Sequence, residues 1–282
     1  MSQKDIFHYK SYLFTIAYNM LGDDAAAEDL VQDTFVKWLE SDTTHVKEMR
    51  SYLSRIIINK AIDRLEQAKR EREKYKGLWM PVPIMSDSPS IEEDYTIEYA
   101  LLFLLEKLNP YERAVFVLKE VFSYSYEEIS KFLEQSQDNC RQLLHRAKEK
   151  VRAPKKRQAA ENDQHRELLE AFLMAYHQNE FKKLEEIFRK DIVLYSDGGG
   201  KMAAALKPIH GMDKVIKFLV GVAGLDPEAR FALKPIYMNA GEATLIFRNS
   251  VLDTALYIVV EENKITELYF LRNPDKIKIK NL

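Results

Sequence analysis

From Ser11 to about Lys76, apolar residues recur every three or four positions, the period of helices that keep one face in a core. Leu13, Ile16, Ala17 and Met20 form one stripe, and Leu30, Val31, Phe35 and Leu39 form a second. Gly22, Asp23 and Asp24 break the pattern between them and start the next helix. A third helix is predicted from Arg50 to about Arg72, with Leu53, Ile57, Ala61 and Leu65 inward. Its far side carries Tyr52, Arg55, Asn59, Asp63 and Glu66, with Lys60 and Arg64 beside the core stripe. Residues 77–95, GLWMPVPIMSDSPSIEEDY, hold three prolines and cannot be one helix, so they read as a flexible acidic linker.

Helical periodicity returns from about Thr96 to Arg152 in short pieces. Asn109-Pro110 is an N-cap followed by proline at the first helical position. Ser125 to Glu128 is a capping box, and Ser136 can cap a further helix from Gln137. A basic break, APKKRQ, leads into a different texture. One amphipathic helix is expected from His165 to about Arg189, then a strand with a glycine turn (DIVLYSDGGGK), then a helix over Met212–Val222. EATLIFRNS, TALYIVVEE and KITELYFLR read as three closing strands, with turns at Asn239-Ala240-Gly241 and Glu262-Asn263. The pattern predicts a multidomain chain: two all-α domains, the second with a helix-turn-helix, followed by an α+β domain.

Charge sharpens this picture. The 282 residues carry a net charge of only −2, yet the charge is segregated. Residues 1–46 hold three Lys/Arg against eight Asp/Glu, residues 47–76 ten against five, and residues 137–157 eight against two. An acidic block therefore precedes one basic helix, and a second basic helix follows, as expected of two separate DNA-contacting elements. A single cysteine, Cys140, excludes a disulfide framework, and no apolar run is long enough to span a membrane. A cytoplasmic protein with no metal or cofactor is the expectation.

The capped helix, short turn and basic helix of residues 125–151 form the clearest unit. Cys140, Leu143, Leu144, Ala147 and Val151 share one face, while Asp138, Arg141, Gln142, His145 and Glu149 share the other, flanked by Arg146 and Lys148. In a helix-turn-helix that second helix enters the major groove, where Arg pairs with guanine and Gln with adenine. An ordinary helical hairpin with a solvated face gives the same pattern. The far side of the Arg50–Arg72 helix offers amide and basic groups beside an aromatic, suited to bases splayed from a duplex.

These segments resemble a known family. DDAAAEDLVQDTFVKWLE (23–40) is similar to the sigma-70 segment that grips the clamp helices of RNA polymerase. RSYLSRIIINKAIDRLEQAKR (50–70) resembles the promoter-melting and −10-reading segment. LNPYERAVFVLKEVFSYSYEEIS with the helix through RQLLHRAKEKVR resembles the −35-reading region. Their order and spacing resemble the extracytoplasmic-function (ECF) group. The resemblance implies core-polymerase contacts for Asp29, Gln32, Asp33 and Phe35 on the β′ clamp helices, with a further contact on the β flap. It assigns Tyr52, Arg55, Asn59, Lys60, Asp63 and Arg64 to the −10 element, and Arg141, Gln142, His145 and Arg146 to the −35 element. Asp138, at the start of the recognition helix, departs from the expected basic pattern; it would exclude a contact or accept from cytosine.

The C-terminal domain resembles the SnoaL-like branch of the NTF2-like cone fold, which a subgroup of ECF factors carries fused. LWMPVP (78–83), DGGGK (197–201) and NPDK (273–276) resemble that subgroup's features. The expected division is 1–76, region 2; 77–95, linker; 96–153, region 4; 154–162, linker; and 163–282, a regulatory domain acting in cis. The regulatory contact is assigned to Trp79, Pro81, Pro83, Asp197, Gly198, Gly199, Gly200, Lys201, Asn273, Pro274, Asp275 and Lys276, with Lys201 reaching an acid, for instance in the linker. DGGGK lacks P-loop spacing, so nucleotide binding is not implied. Three other readings stand beside this one: a small-ligand sensor in the C-terminal domain, acid–base chemistry using His177, His210, Asp197 or Asp253, and a ligand-sensing repressor. The last does not need the acidic segment 23–40.

Overall fold

The computed structural model describes residues 3–44, 46–88, 96–151, 159–223, 229–239 and 241–277. The chain divides into two compact units, one formed by residues 1–74, 81–84 and 90–154, the other by 75–80, 85–89 and 155–282.

The first unit is helical. After a 3-10 turn come α1 (Lys10–Leu21), α2 (Asp24–Glu40) and α3 (Met49–Arg72). Gly22 closes α1 in the left-handed conformation at φ 67°, and the Asp23 carboxylate accepts from the Ala26 amide at 2.9 Å to start α2. On α3, burial extends past the expected stripe to Ser54, Ile58 and Ile62, so the helix is packed on two sides. α4 (Tyr99–Leu104), α5 (Pro110–Phe116), a π-turn at Val117–Val121, α6 (Tyr126–Leu133) and α7 (Gln137–Lys150) follow. Asn109 and Ser125 each form the complete capping box, and the Ser136 hydroxyl accepts from Asn139 N at 3.1 Å. Replacing Ser136 with alanine leaves that amide unsatisfied and is expected to cost about 1 kcal/mol, measurable by urea unfolding.

Residues 78–86 are not a free tether: each is buried or half-buried. Residues 81–84 lie in the helical unit, where Val82 N donates to Gly22 O at 2.8 Å and Tyr99 Oη donates to Pro81 O at 2.9 Å. Residues 89–95 of the expected acidic linker and residues 154–158 of the second linker lie outside the described residues.

The second unit is α+β. Within this unit β1 (Met85–Ser86) is followed by α8 (Ala159–His177), α9 (Leu184–Ile187), β2 (Phe188–Asp197), β3 (Ile209–His210) and α10 (Met212–Ala223). β4 (Phe231–Met238), β5 (Gly241–Arg248), β6 (Val251–Glu261) and β7 (Lys264–Leu271) complete it. The sheet order is β1-β4-β5-β6-β7-β2-β3, with only β2 and β7 parallel. Phe172 of α8, Leu219 of α10 and Leu194, Leu256 and Leu268 of the sheet share the core. The helix expected through Arg189 ends at His177, since Asn179 takes φ 58° and Phe188 already begins a strand. β4 was not expected, because Pro235 sits in its middle; the proline is tolerated because β4 has a full partner only in β5. Glu262-Asn263 forms the expected left-handed turn, and Asn249-Ser250 forms a second one.

Candidate functional site

On α2, Asp29, Gln32 and Asp33 are exposed on one side, whereas Phe35 turns inward at 8% exposure and packs edge-on against Phe7. The apolar residues that this surface does present are Val36 and Leu39, each about half exposed. With Asp29, Gln32 and Asp33 they run along the helix at three- and four-residue spacing. That spacing, carrying apolar groups on an acidic face, was the signal that could have found them.

α3 presents Arg55, Asp63 and Arg64 to solvent, while Tyr52, Asn59 and Lys60 are half-buried. Tyr52 lies edge-on to Trp38, and Lys60 is 3.5 Å from Asp33, linking the two candidate surfaces. The polar side of α3 is also engaged by the helix-turn-helix. Asn59 Nδ2 donates to Phe132 O at 2.9 Å, and the Arg55 guanidinium pairs with Glu134. Behind them Tyr124 Oη is hydrogen-bonded to Tyr12 Oη (2.5 Å) and Ser54 Oγ (2.9 Å). An ion triad that includes a buried arginine lies further along the same contact. Glu106 takes both Arg72 and Arg113, and Arg113 Nε donates to Asn19 O at 3.1 Å. Arg113 is 2% exposed, and burial lowers the pKa of Arg72, an effect that Glu106 opposes. The triad therefore ties α1 and α3 to α4–α5.

α6 and α7 form the helix-turn-helix, with Glu134 closing α6 at φ 53°. Arg141, Gln142, His145 and Arg146 are all exposed on α7, and Cys140, Leu143, Leu144 and Ala147 are buried. Asp138 is paired with Arg141 at 2.6 Å, and that guanidinium also lies 5.1 Å from the Tyr126 ring centre. The acid thus steers the neighbouring arginine.

The three motifs of the second unit converge on one carboxylate. Asp197, at the end of β2, has a side chain with 0% exposure and four hydrogen-bond donors. Oδ1 accepts from Tyr75 Oη (2.5 Å) and Gly199 N (2.9 Å); Oδ2 accepts from Met80 N (3.0 Å) and Lys276 Nζ (2.8 Å). Such an arrangement fills the acceptor capacity of a carboxylate. Lys276 Nζ also donates to Met80 O at 2.6 Å and lies over the rings of Trp79 (4.3 Å) and Tyr75 (4.7 Å). Asn273 Nδ2 donates to Tyr75 Oη at 2.8 Å. Residues 75–80 are therefore gripped by β2 and the segment after β7, in a clasp made of a saturated carboxylate, an ammonium and two rings.

The glycines make this approach possible. A side chain at Gly198 would overlap Met202 O, and one at Gly199, which has φ 61°, would overlap Asn273. Lys201 reaches an acid as expected, and among the described residues that acid is Asp275 at 2.5 Å, within reach because the glycine turn and the 273–276 turn are adjacent. Pro81 and Pro83 are buried with the helical unit and take no part in the clasp, and Pro274 is exposed. Tyr75 was missed because it sits in a run of charges, KYKG, that reads as a solvated helix end.

Burial, then its bond to Asp197, raises the Tyr75 phenol well above its ordinary pKa; burial raises Tyr124, and takes Tyr195 to about 12. Each folded-state pKa exceeds the unfolded value of about 10, so the folded chain holds more protons above that pH. The contribution of these tyrosines to stability should be constant on the acid side of pH about 10 and fall as pH rises beyond it. Thermal melts between about pH 8 and 11 should show the decline, shallower in Tyr75→Phe.

The acid–base candidates are not brought together. Asp197 is consumed by the clasp, Asp253 pairs with Arg272 at 2.7 Å, and His177 lies beside the Phe231 ring. His210 opens onto a separate cleft with Lys190 and Lys214.

Residues 6–71 match the sigma-70 region 2 family and residues 99–151 the sigma-70 region 4 family. The chain is 25% identical to the ECF RNA polymerase sigma factor SigJ of Mycobacterium tuberculosis, across 95% of this chain and 90% of that one. With the probable ECF RNA polymerase sigma factor SigI of the same organism it is 27% identical, across 95% and 92%. The crystal structure of M. tuberculosis SigJ superposes with a TM-score of 0.77 over 98% of both chains at 24% identity, which shows a shared fold. The helical unit is thus built from regions 2 and 4 of the sigma-70 family. Over nearly its whole length the chain is similar to ECF RNA polymerase sigma factors, with the α+β domain following the two sigma-70 regions. Among the described residues no helix is long and apolar enough to cross a membrane.

Proposed function

We propose that the α+β domain governs this sigma factor in cis by holding residues 75–80, and that release of the clasp allows promoter engagement. In this reading 1–76 and 96–153 act as the region 2 and region 4 domains, 77–95 and 154–162 as connectors, and 163–282 as the regulator. Asp29, Gln32, Asp33, Val36 and Leu39 face the β′ clamp helices of core polymerase, with Phe35 supporting them from beneath; region 4 meets the β flap. The chain works in the cytoplasm beside polymerase and DNA, as a regulator rather than an enzyme.

The observation that carries the proposal is the four-donor grip on Asp197 together with the engaged state of α3. The −10 and −35 elements lie about 25 base pairs apart, about 85 Å at 3.4 Å per base pair. Regions 2 and 4 hydrogen-bonded to one another through Asn59 and Phe132 do not reach both. They have to separate, and a connector held at 75–80 by one unit and packed at 81–84 in the other cannot lengthen. Lys276→Met, which removes the ammonium but keeps the apolar stem, is therefore expected to raise run-off transcription with core polymerase. An unchanged transcript level would set the proposal aside.

On the DNA side, Arg141 and Gln142 read bases and Arg146 meets phosphate, with His145 beside them. Arg141→Ala is expected to weaken −35 binding by about 1–3 kcal/mol and relax the preference at one base pair, whereas Arg146→Ala lowers affinity uniformly and flattens the salt dependence. Competition binding across single-base promoter variants at two salt concentrations separates the two effects.

A further inference from the structure

Arg141 stands early on α7, among the N-terminal residues that a recognition helix brings to base edges. Its guanidinium is 5.1 Å from the ring centre of Tyr126, the first residue of α6, and its Nη1 donates to Asp138 Oδ1 at 2.6 Å. The ring is held in turn. Lys119, in the π-turn before α6, lies 5.0 Å from the same ring centre and donates through Nζ to Tyr124 O at 3.1 Å. Asp138 takes Nη1 alone. The Nε–Nη2 edge of the fork, which can meet guanine O6 and N7 together, is clear of hydrogen bonds among the described residues. Asp138 and Arg141 are well exposed, so either contact by itself adds little to stability. Their joint effect is on the direction in which the arginine points.

We propose that Tyr126 and Asp138 are specificity-determining residues of −35 recognition. They hold Arg141 in the pose that reads one guanine and read no base themselves.

This inference rests on the base-reading role of Arg141 proposed above. An arginine free to swing at a groove edge reaches phosphates as readily as a base, and a phosphate contact carries no sequence information. Here such a swing lifts the guanidinium off the Tyr126 ring. It also leaves the Asp138 carboxylate unpaired in the negative field of the DNA backbone. The acid that breaks the basic pattern of α7 therefore lowers affinity for DNA at large and sharpens the choice of site, a repulsive element acting as specificity. Holding the side chain before DNA arrives also removes part of the rotamer entropy that base contact would otherwise cost.

The test uses holoenzyme assembled from the full chain and core polymerase, in competition binding against every single-base variant of the −35 element and against unrelated DNA. Arg141→Ala identifies the base pair that the arginine reads. Tyr126→Leu and Asp138→Ala are each expected to reduce discrimination at that same pair about fivefold. Asp138→Ala should also bind unrelated DNA about threefold more tightly and with a steeper salt dependence, the reverse of Arg146→Ala. Tyr126→Phe, which keeps the ring, restores the wild-type preference, whereas a tyrosine with a merely structural role would change affinity for all sequences alike. Asp138→Ala combined with Arg141→Ala should lose no more discrimination than Arg141→Ala alone. Should Tyr126→Leu fail to fold, the exposed Asp138 carries the test through its alanine variant. Discrimination that is unchanged in Asp138→Ala overturns the inference, and so does a loss at a different base pair, which would make the acid itself a reader. Arg141→Ala relaxing no base pair overturns the base-reading role beneath it instead, so the two failures are told apart.

Discussion

Asp197→Asn is expected to destabilise the α+β domain by about 3–5 kcal/mol, the usual cost of removing one partner from a buried ion pair. The substitution preserves shape, so the loss is electrostatic. Lys276 is 8% exposed and would be left buried with its charge facing an amide. Tyr75 Oη and Met80 N would compete for a single remaining carbonyl oxygen. The domain's thermal midpoint should drop by more than about 10 °C, read by calorimetry, while the helical unit melts as before. Residues 75–80 should lose amide-exchange protection at the same time. A variant whose midpoint stays within a degree or two of wild type would mean that Lys276 finds another partner and that the clasp is weak.

The second large effect is expected at Glu106, which holds Arg72 and Arg113 together. Glu106→Gln leaves two guanidiniums side by side, one of them 2% exposed, at a cost again of about 3–5 kcal/mol. Because the triad joins α1 and α3 to α4–α5, the cost falls on the packing of region 2 against region 4. Each 1.4 kcal/mol is about a tenfold change, so the separated form should gain at least a hundredfold in relative population. Spin labels on α3 and α7 in a Cys140→Ser background should report longer distances. A distribution identical to wild type would show that the triad stabilises each region internally and does not hold the two together.

Much of the helical unit was legible because its signals are local. A capping box spans four residues, and Asn109–Glu112 and Ser125–Glu128 set helix starts that tertiary packing did not override. The basic face of α7 was legible for the same reason. What stayed hidden depends on residues far apart in sequence. Nothing near Glu106 announces that Asn19 O and Arg72 will meet the same arginine network. The clasp was half visible: its motifs stood out, yet the pairing of Asp197 with Lys276, the place of Tyr75, and Lys201 turning to Asp275 appear only once β2 and β7 lie side by side. β4 was concealed by Pro235, since an edge position that excuses a proline is a property of the sheet, not of the segment.

The most direct test compares the wild-type chain with Lys276→Met for core-polymerase affinity and for run-off from the chain's own promoters. The expected result is equal affinity for core polymerase and at least fivefold more transcript from Lys276→Met. Equal transcription from the two chains would contradict control by the clasp, and failure of both to bind core polymerase would contradict the account at its root.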